Sequence, residues 1–453
     1  MIDRLPLGRA CRLGLGPALG VLLSVGLAGS AAAQAPEPAP TPTPAPTPAP
    51  TPDLPASDTV TPPPADQPIA GGRPVPGPIV LPGLTSAPQR PRRSPWNLTL
   101  RAGEGWVRNP GAVPGGTASS PATRGSVAVG YQRTGGRSTV GLSADAAGAR
   151  YHDYGTLNNV GGGGSIRLAR TLSPRASVTV GDSLETRYAY ENSLLMNSGV
   201  VLGPVRTLTN VATAGFGYRF GSVTSFTVDA RHERVDFDSP TLVDGSQLAL
   251  GATINHRRSV LGGLGASYLF VASTTAAQRS ESHTAYGSWR RLLGPRWTTG
   301  LSLGITHSSR AQGNYPYAVG ELGATYGRAF FSARFSTNLS QAYGAGYEQE
   351  VRTAGLTVRR AVGRRVTASL SGVFADAEAI LSPAAAAASG SPPGYRTLNA
   401  TGAIRVRISR AWGLDMDAFT MRLRPRPGAA LVTVADTVTG GAGLAFVYET
   451  PNR

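Results

Sequence analysis

Full charges alternate with apolar side chains in the stretch AIRVRISRAWGLDMDAF at residues 403–419. Arg405 and Arg407 lie between aliphatic residues, and after a short turn Asp415 and Asp417 repeat this spacing with the opposite charge. Guanidinium and carboxylate groups can form ion pairs, or they can line a path that attracts a charged solute. On a β-strand, a spacing of two residues places side chains on the same face. We therefore expect Arg405 to face Asp415 across two adjacent strands.

Other residue types capable of chemistry form no recognisable catalytic or metal-binding motif. The histidines are scattered, at His152, His232, His256, His283 and His307. The glycine run VGGGG at 160–164 lacks the Lys-Ser/Thr pair and the helix of a phosphate-binding loop, so it favours a strand that bends or is closely approached. The only cysteine is Cys11. We expect no enzyme activity, no cofactor and no metal site, although a hydrolase with a Ser/His/acid site is kept as a third alternative.

The elements that must position these charges are β-strands. From Trp96 onward, apolar residues alternate with Gly, Ser, Thr and Arg at a period of two, as in QLALGATIN and LSLGIT. Short connections rich in Gly, Pro and Arg reverse the chain at 134–137, 172–175, 220–223, 293–296, 327–328 and 362–365. Longer polar loops alternate with these short connections along the chain, at 108–123, 148–158, 186–206 and 377–394. This arrangement predicts an up-and-down meander.

The number and length of the alternating runs favour a membrane-spanning barrel. Eighteen runs can be counted from residue 96, with sixteen as the alternative, and each run with its connection takes roughly 20 residues, enough for a tilted strand to cross a bilayer. A soluble sandwich or propeller would also alternate, but the row opposite the apolar one is too polar for a packed interior. Strands can cross a bilayer only when the sheet is closed. We expect an all-β, closed antiparallel barrel over 96–453.

The residues before the barrel indicate export. Arg4, Arg9 and Arg12 precede an apolar run and small residues, a pattern typical of a signal peptide over 1–33, with a membrane anchor as the alternative. Residues 34–95 form a linker rich in Pro, Ala and Thr, expected to be extended and to act as a spacer or as an arm toward a periplasmic or cell-wall partner.

Without the leader, the net charge falls from +17 to +15. All basic residues are arginine and are dispersed, which argues against a nucleic-acid partner.

These features resemble the porin-like outer-membrane β-barrels of Gram-negative bacteria. Tyr131, Trp412, Phe446 and Tyr448 lie near strand ends in the apolar row, as in the aromatic girdles of such barrels. The chain departs from the family's usual terminal aromatic residue, because ETPNR follows Tyr448. The resemblance implies an outer-membrane location in contact with lipid, and within the family the chain also looks similar to barrels that accompany polysaccharide export. The oligomeric state is left open.

The predicted lumen is charged and basic in balance. The inward arginines should be Arg124, Arg167, Arg187, Arg219, Arg231, Arg334, Arg405 and Arg407, and the inward acids should be Glu185, Asp229, Glu233, Glu321, Asp415 and Asp417. These groups could attract anions, or they could pair with each other and stiffen the wall.

The longest loop, at 187–206, is the only long one with a strong apolar centre, formed by Leu194, Leu195 and Met196. We predict that this loop folds inward and constricts the lumen. The sequence thus favours a channel for hydrophilic, anionic solutes. The alternatives are a barrel for polysaccharide export and a structural tether with a plugged lumen.

Overall fold

The computed structural model describes residues 95–110, 116–188, 205–240, 242–259, 261–275, 279–310, 313–342, 347–380, 394–425 and 437–450. The predicted leader at 1–33, almost all of the linker at 34–95, and Leu194, Leu195 and Met196 lie outside these residues. Every statement below concerns the described part of the chain.

Eighteen antiparallel strands make up the described chain, which confirms the larger of the two predicted counts. They are β1 Trp96–Arg108, β2 Ser119–Gly135, β3 Ser138–Tyr151, β4 Asn159–Ser173, β5 Ala176–Tyr188, β6 Arg206–Arg219, β7 Thr224–Phe237, β8 Gly245–Ser259, β9 Gly262–Thr275, β10 Arg279–Leu292, β11 Trp297–Ser308, β12 Gly313–Tyr326, β13 Ala329–Ala342, β14 Tyr347–Val362, β15 Val366–Ala379, β16 Gly394–Arg407, β17 Trp412–Pro425 and β18 Thr437–Glu449. A single 3₁₀ turn, Gly155–Leu157, interrupts the series.

The sheet closes on itself. Each strand pairs with its neighbours in sequence, and β1 also pairs with β18, from Thr99 opposite Glu449 to Arg108 opposite Gly440. Closure pairs every strand with a neighbour on each side, so backbone groups within the paired lengths have hydrogen-bond partners. The predicted fold class, a closed up-and-down β-barrel, is confirmed.

The two ends of the barrel differ in their connections. At the end that we call the turn end, β1 begins, β18 ends and short turns join the strands; we call the opposite end the loop end. Gly136 and Gly327 have φ angles of +53° and +57°, which a side chain with a Cβ rarely adopts, so these turns require glycine. Several strands run further into the loops than predicted. Residues 119–123 belong to β2 because they pair with β1.

The outward-facing side chains, which we call the outer row, are apolar over a broad band. Leu250 and Ile404 are 42% and 43% exposed. Exposure of so much apolar surface is unfavourable in water but favourable against lipid acyl chains. Aromatic residues border this band at the turn end. The rings of Trp96 and Tyr131 are 4.7 Å apart, and those of Trp412 and Tyr448 are 5.1 Å apart. No helix within the described ranges is long and apolar enough to cross a membrane.

The inward-facing side chains, the inner row, differ between the two halves of the barrel. On β8, Gln247 and Ala249 are buried near the loop end and Thr253 is buried at mid-strand, whereas Asn255 and Arg257 are exposed near the turn end. Three apolar clusters of the inner row lie in the loop-end half, and one of them joins Val351, Ala377, Tyr395 and Leu423. The loop-end half of the inner row is therefore packed, and many of its buried side chains are polar, as the predicted polar row requires. Alternation distinguishes the two faces of a strand but does not show what packs against the inner one.

Candidate solute pathway

Arg405 forms two ion pairs on the inner wall. The register places it opposite Asp415, and its Nε lies 3.0 Å from Oδ1 of that carboxylate. Its Nη2 also lies 3.0 Å from Oε1 of Glu449, at the end of β18. The Asp415 side chain is only 8% exposed, so the guanidinium compensates a carboxylate that has lost most of its water.

Asp417 binds an arginine that the sequence analysis did not select. Nη2 of Arg101, on β1, donates to Asp417 Oδ1 at 2.8 Å, and Arg124 lies 4.0 Å from the other oxygen. The β17 to β18 to β1 order brings these groups together only when the barrel closes. Arg101 was missed because it lies more than 300 residues from Asp417 in the chain.

Arg187 reaches across a neighbouring strand. Its Nη2 lies 2.8 Å from Asp145 on β3, and it also pairs with Glu185 on its own strand, β5. The intervening strand β4 carries glycine here: a Cβ on Gly161 would lie 3.2 Å from the Arg187 side chain and 2.7 Å from the Thr186 carbonyl oxygen. The glycine run at 160–164 therefore lets a long side chain lie flat on the wall, consistent with the close approach considered from the sequence.

Two further predicted arginines of the inner row are paired. Arg231 Nη2 donates to Glu233 Oε2 at 2.8 Å, and Arg334 Nε lies 3.6 Å from Glu321 Oε1. Asp229 lies on the same face of β7, opposite Gly251. Pairing within the wall thus accounts for Arg124, Arg187, Arg231, Arg334 and Arg405.

A second set of inner-row arginines lies toward the turn end and is exposed. We call five of these the vestibule arginines: Arg167, Arg219, Arg290, Arg359 and Arg407. A sixth, Arg257, donates to the backbone carbonyl oxygen of Ser222 and is not counted among them. Arg290 and Arg359 were not predicted. Each belongs to an Arg-Arg doublet, Arg290-Arg291 and Arg359-Arg360, and on a regular strand such a doublet puts one arginine on each face. Arg290, Arg359 and Arg407 make no ion pair with any described residue.

The end of the β13–β14 hairpin folds into the barrel. Pairing between β12 and β13 stops at Ala318 opposite Thr337, whereas β13 and β14 remain paired to Ala342 opposite Tyr347. Beyond the split, Leu339 and Glu348 belong to the outer row by alternation, yet each is only 4% exposed.

Hydrogen bonds to two other strands hold this hairpin end. Ser308 Oγ, in the inner row of β11, donates to Glu348 Oε2 at 2.6 Å. The hairpin's outer face therefore packs on the inner face of β11 and β12. On its other side, the Tyr395 hydroxyl donates to Gln349 Oε1 at 2.8 Å. Burial lowers the pKa of Arg310, between β11 and β12, and the nearby Glu348 carboxylate partly offsets this effect. At the loop end, the segment that folds inward is therefore the end of the β13–β14 hairpin. The constriction by Leu194, Leu195 and Met196 stays a prediction.

The four histidines within strands, His232, His256, His283 and His307, belong to the outer row of β7, β8, β10 and β11. The fifth, His152, is the only one near both a hydroxyl and a carboxylate: its Nε2 lies 3.0 Å from Thr123 Oγ1 and 3.9 Å from Glu104 Oε2. Thr123 and Glu104 both approach the same ring nitrogen. In a nucleophile–base–acid relay, the acid would instead orient the base from its other nitrogen.

No protein-family model matches the sequence, and no curated protein matches it. Solved structures with a similar outline include the outer membrane protein OpdK from Pseudomonas aeruginosa, at 12% identity and a TM-score of 0.44, with 78% of this chain and 98% of that chain covered. Acinetobacter baumannii OccAB4 has 8% identity and a TM-score of 0.41, with 78% and 97% covered. The siderophore receptor PirA from Pseudomonas aeruginosa has 8% identity and a TM-score of 0.40, with 80% and 81% covered. At these scores the likeness carries no argument about function.

The geometry of the barrel indicates where it is located in the cell. It is closed, its outer row is apolar, and aromatic pairs border the band. The architecture is that of an outer-membrane β-barrel.

Proposed function

We propose that this outer-membrane barrel is a channel for small hydrophilic anions. The observation that carries the proposal is the set of five vestibule arginines in the inner row near the turn end. The carboxylates of the inner wall are engaged elsewhere, as in the pairs of Asp415 with Arg405 and of Glu321 with Arg334. Arg290, Arg359 and Arg407, which make no ion pair with a described residue, therefore keep their positive charge at the turn end.

Such a vestibule would raise the local concentration of anions. A water-filled opening within low-dielectric walls focuses the field of its charges, and guanidinium groups bind carboxylates and phosphates without losing their charge at any physiological pH. The packed loop-end half supplies the restriction, and the inward-folded β13–β14 hairpin is its candidate gate. No catalytic step is part of this function.

Selectivity can be tested with a matched pair of variants. Arg290→Gln/Arg359→Gln removes two inward charges, whereas Arg291→Gln/Arg360→Gln removes their outward neighbours on the same strands. In planar bilayers under a KCl gradient, the parent protein should show an anion-selective reversal potential. The inward variant should shift this potential toward zero, and the outward variant should leave it unchanged. A parent protein that is cation-selective, or an equal shift in both variants, would contradict the proposal.

The same recordings separate the channel from its alternatives. A barrel for polysaccharide export should be blocked by an acidic oligosaccharide added at the turn end, whereas a channel for small anions should conduct chloride and small organic acids with little block. A tether with a plugged lumen should conduct neither, and removal of residues 35–94 should not open it. We expect conductance of small anions with and without this segment.

A further inference from the structure

The outer row also carries arginines at the turn end. Arg133, Arg170, Arg291 and Arg360, which we call the collar arginines, lie on β2, β4, β10 and β14 and are all exposed. Each pairs in register with an outer-row residue of the next strand, as Arg133 does with Val140 and Arg360 with Ala368. They lie on four different strands near the turn-end border of the apolar band.

Aromatic side chains accompany the collar arginines. Trp96, Trp297 and Trp412 each begin a strand at this end and are 57%, 46% and 51% exposed. The guanidinium carbon of Arg296 lies 4.7 Å from the ring centre of Tyr326, which is itself 73% exposed. Amphipathic rings of this kind occupy the level of lipid headgroups, so the collar arginines lie at that level too.

The outer row at the loop end has a different charge pattern. There, arginines are paired with acids two residues away on the same strand, with distances of 2.9 Å for Arg234–Asp236 and 2.8 Å for Arg279–Glu281. Arg352 and Glu350 form a third such pair at 2.9 Å. At the turn end, the nearest described outer-row carboxylate is Asp182, which lies in the middle of β5. One rim is thus of mixed charge, and the other is uniformly positive.

We propose that the collar arginines bind the headgroups of anionic phospholipids in the leaflet at the turn end. A phosphodiester offers two anionic oxygens to the planar fork of a guanidinium, and a net negative headgroup is not repelled by any nearby acid. Attraction to an anionic membrane surface strengthens by a factor of about five for each arginine near it. This binding is independent of channel activity.

Tryptophan fluorescence can measure which lipid contacts the collar arginines. Four of the five lie near the turn end, and Trp106→Phe removes the one near the loop end. We would reconstitute this protein into phosphatidylcholine vesicles that contain a small fraction of either brominated phosphatidylglycerol or brominated phosphatidylcholine. Bromine quenches tryptophan on contact, so the ratio of the two quenching efficiencies reports the lipid that contacts the collar.

We expect stronger quenching by phosphatidylglycerol, with loss of this preference in Arg133→Gln/Arg170→Gln/Arg291→Gln/Arg360→Gln and at high salt, where exposed charges are screened. Arg290→Gln/Arg359→Gln should retain the preference, although its ion selectivity changes. Heat-dependent migration on a gel confirms that each barrel is folded. Equal quenching by the two lipids, an equal loss in the inward variant, or abolition of the preference by glycerol phosphate would overturn the proposal. Because selectivity and lipid preference depend on different variants, failure of one proposal leaves the other testable.

Discussion

Arg405 lies directly opposite Asp415 on adjacent strands, and the two charged atoms are 3.0 Å apart on the inner wall of the barrel. The pair is asymmetric: the arginine side chain is 37% exposed, and the aspartate side chain is 8% exposed. The exposed partner has water to solvate it, whereas the buried carboxylate depends on the arginine. Removal of one partner should therefore not have the same effect as removal of the other.

Arg405→Gln should lower the free energy of unfolding by about 1–2 kcal/mol, because it leaves a buried carboxylate without its cation; partial exposure of the arginine reduces the effect below that of a fully buried pair. Asp415→Asn should cost less. Urea unfolding in lipid vesicles, followed by tryptophan fluorescence, measures both. Equal costs would contradict the asymmetry of the pair. A double variant whose loss is the sum of the single losses would show that the two residues are not coupled.

Leu250→Arg should destabilise the barrel by about 2–4 kcal/mol, because Leu250 faces lipid near the middle of β8. Asn255→Arg is the matched control, since Asn255 lies in the exposed part of the inner row on the same strand and should tolerate arginine with little loss. Thr253 also belongs to the inner row of β8 but is unsuitable as a control. The structure shows that Thr253 is 7% exposed and that its hydroxyl lies 2.9 Å from that of Ser267, so arginine there should also be harmful.

Glu348→Ala should raise the single-channel conductance. The substitution removes the acceptor for Ser308 and the carboxylate beside Arg310, so the inward-folded end of β13–β14 loses its attachment to β11. Asp236→Ala is the control, because Asp236 accepts from Arg234 on its own strand, β7, at the loop end and away from the hairpin. If the two variants conduct alike, this hairpin is not the restriction.

Deletion of residues 191–199 tests the constriction predicted from Leu194, Leu195 and Met196. If that loop narrows the lumen, its removal should increase conductance and weaken anion preference while the barrel stays folded. Combination with Glu348→Ala should then increase conductance further, because the two segments would act separately. Conductance and ion preference that match those of the parent would place the restriction elsewhere.

Topology can be tested with single cysteines, since the only natural cysteine, Cys11, lies within the predicted leader. Thr117→Cys, at the loop end, should react with an impermeant reagent on intact cells, whereas Gly135→Cys, at the turn end, should react only after the outer membrane is opened. The even strand number puts the start of β1 and the end of β18 at the turn end. Short turns face the periplasm in outer-membrane barrels, and longer loops face the outside. The reverse labelling pattern would invert the barrel and place the collar arginines in the outer leaflet.

The amino-acid sequence by itself determined that the chain forms alternating strands, favoured eighteen of them over sixteen, and separated the apolar face of most strands from the polar one. Alternation and turn chemistry are local properties, and in an antiparallel meander each strand pairs with the next. This is why the pairing of Arg405 with Asp415 could be anticipated. The same reasoning could have predicted that one arginine of each doublet faces inward, since Arg290 and Arg291 must face opposite ways on a regular strand.

Only the tertiary structure decided what the inner row touches. Arg101 meets Asp417 because the first and last strands close the barrel, and Glu348 meets Ser308 because the sheet splits between β12 and β13. It also decided that the loop-end half of the interior is packed while the vestibule arginines stay exposed. These contacts join strands that are not neighbours, and a periodic pattern along one strand carries no information about them. Their cause is closure and inward folding, which depend on the whole sheet.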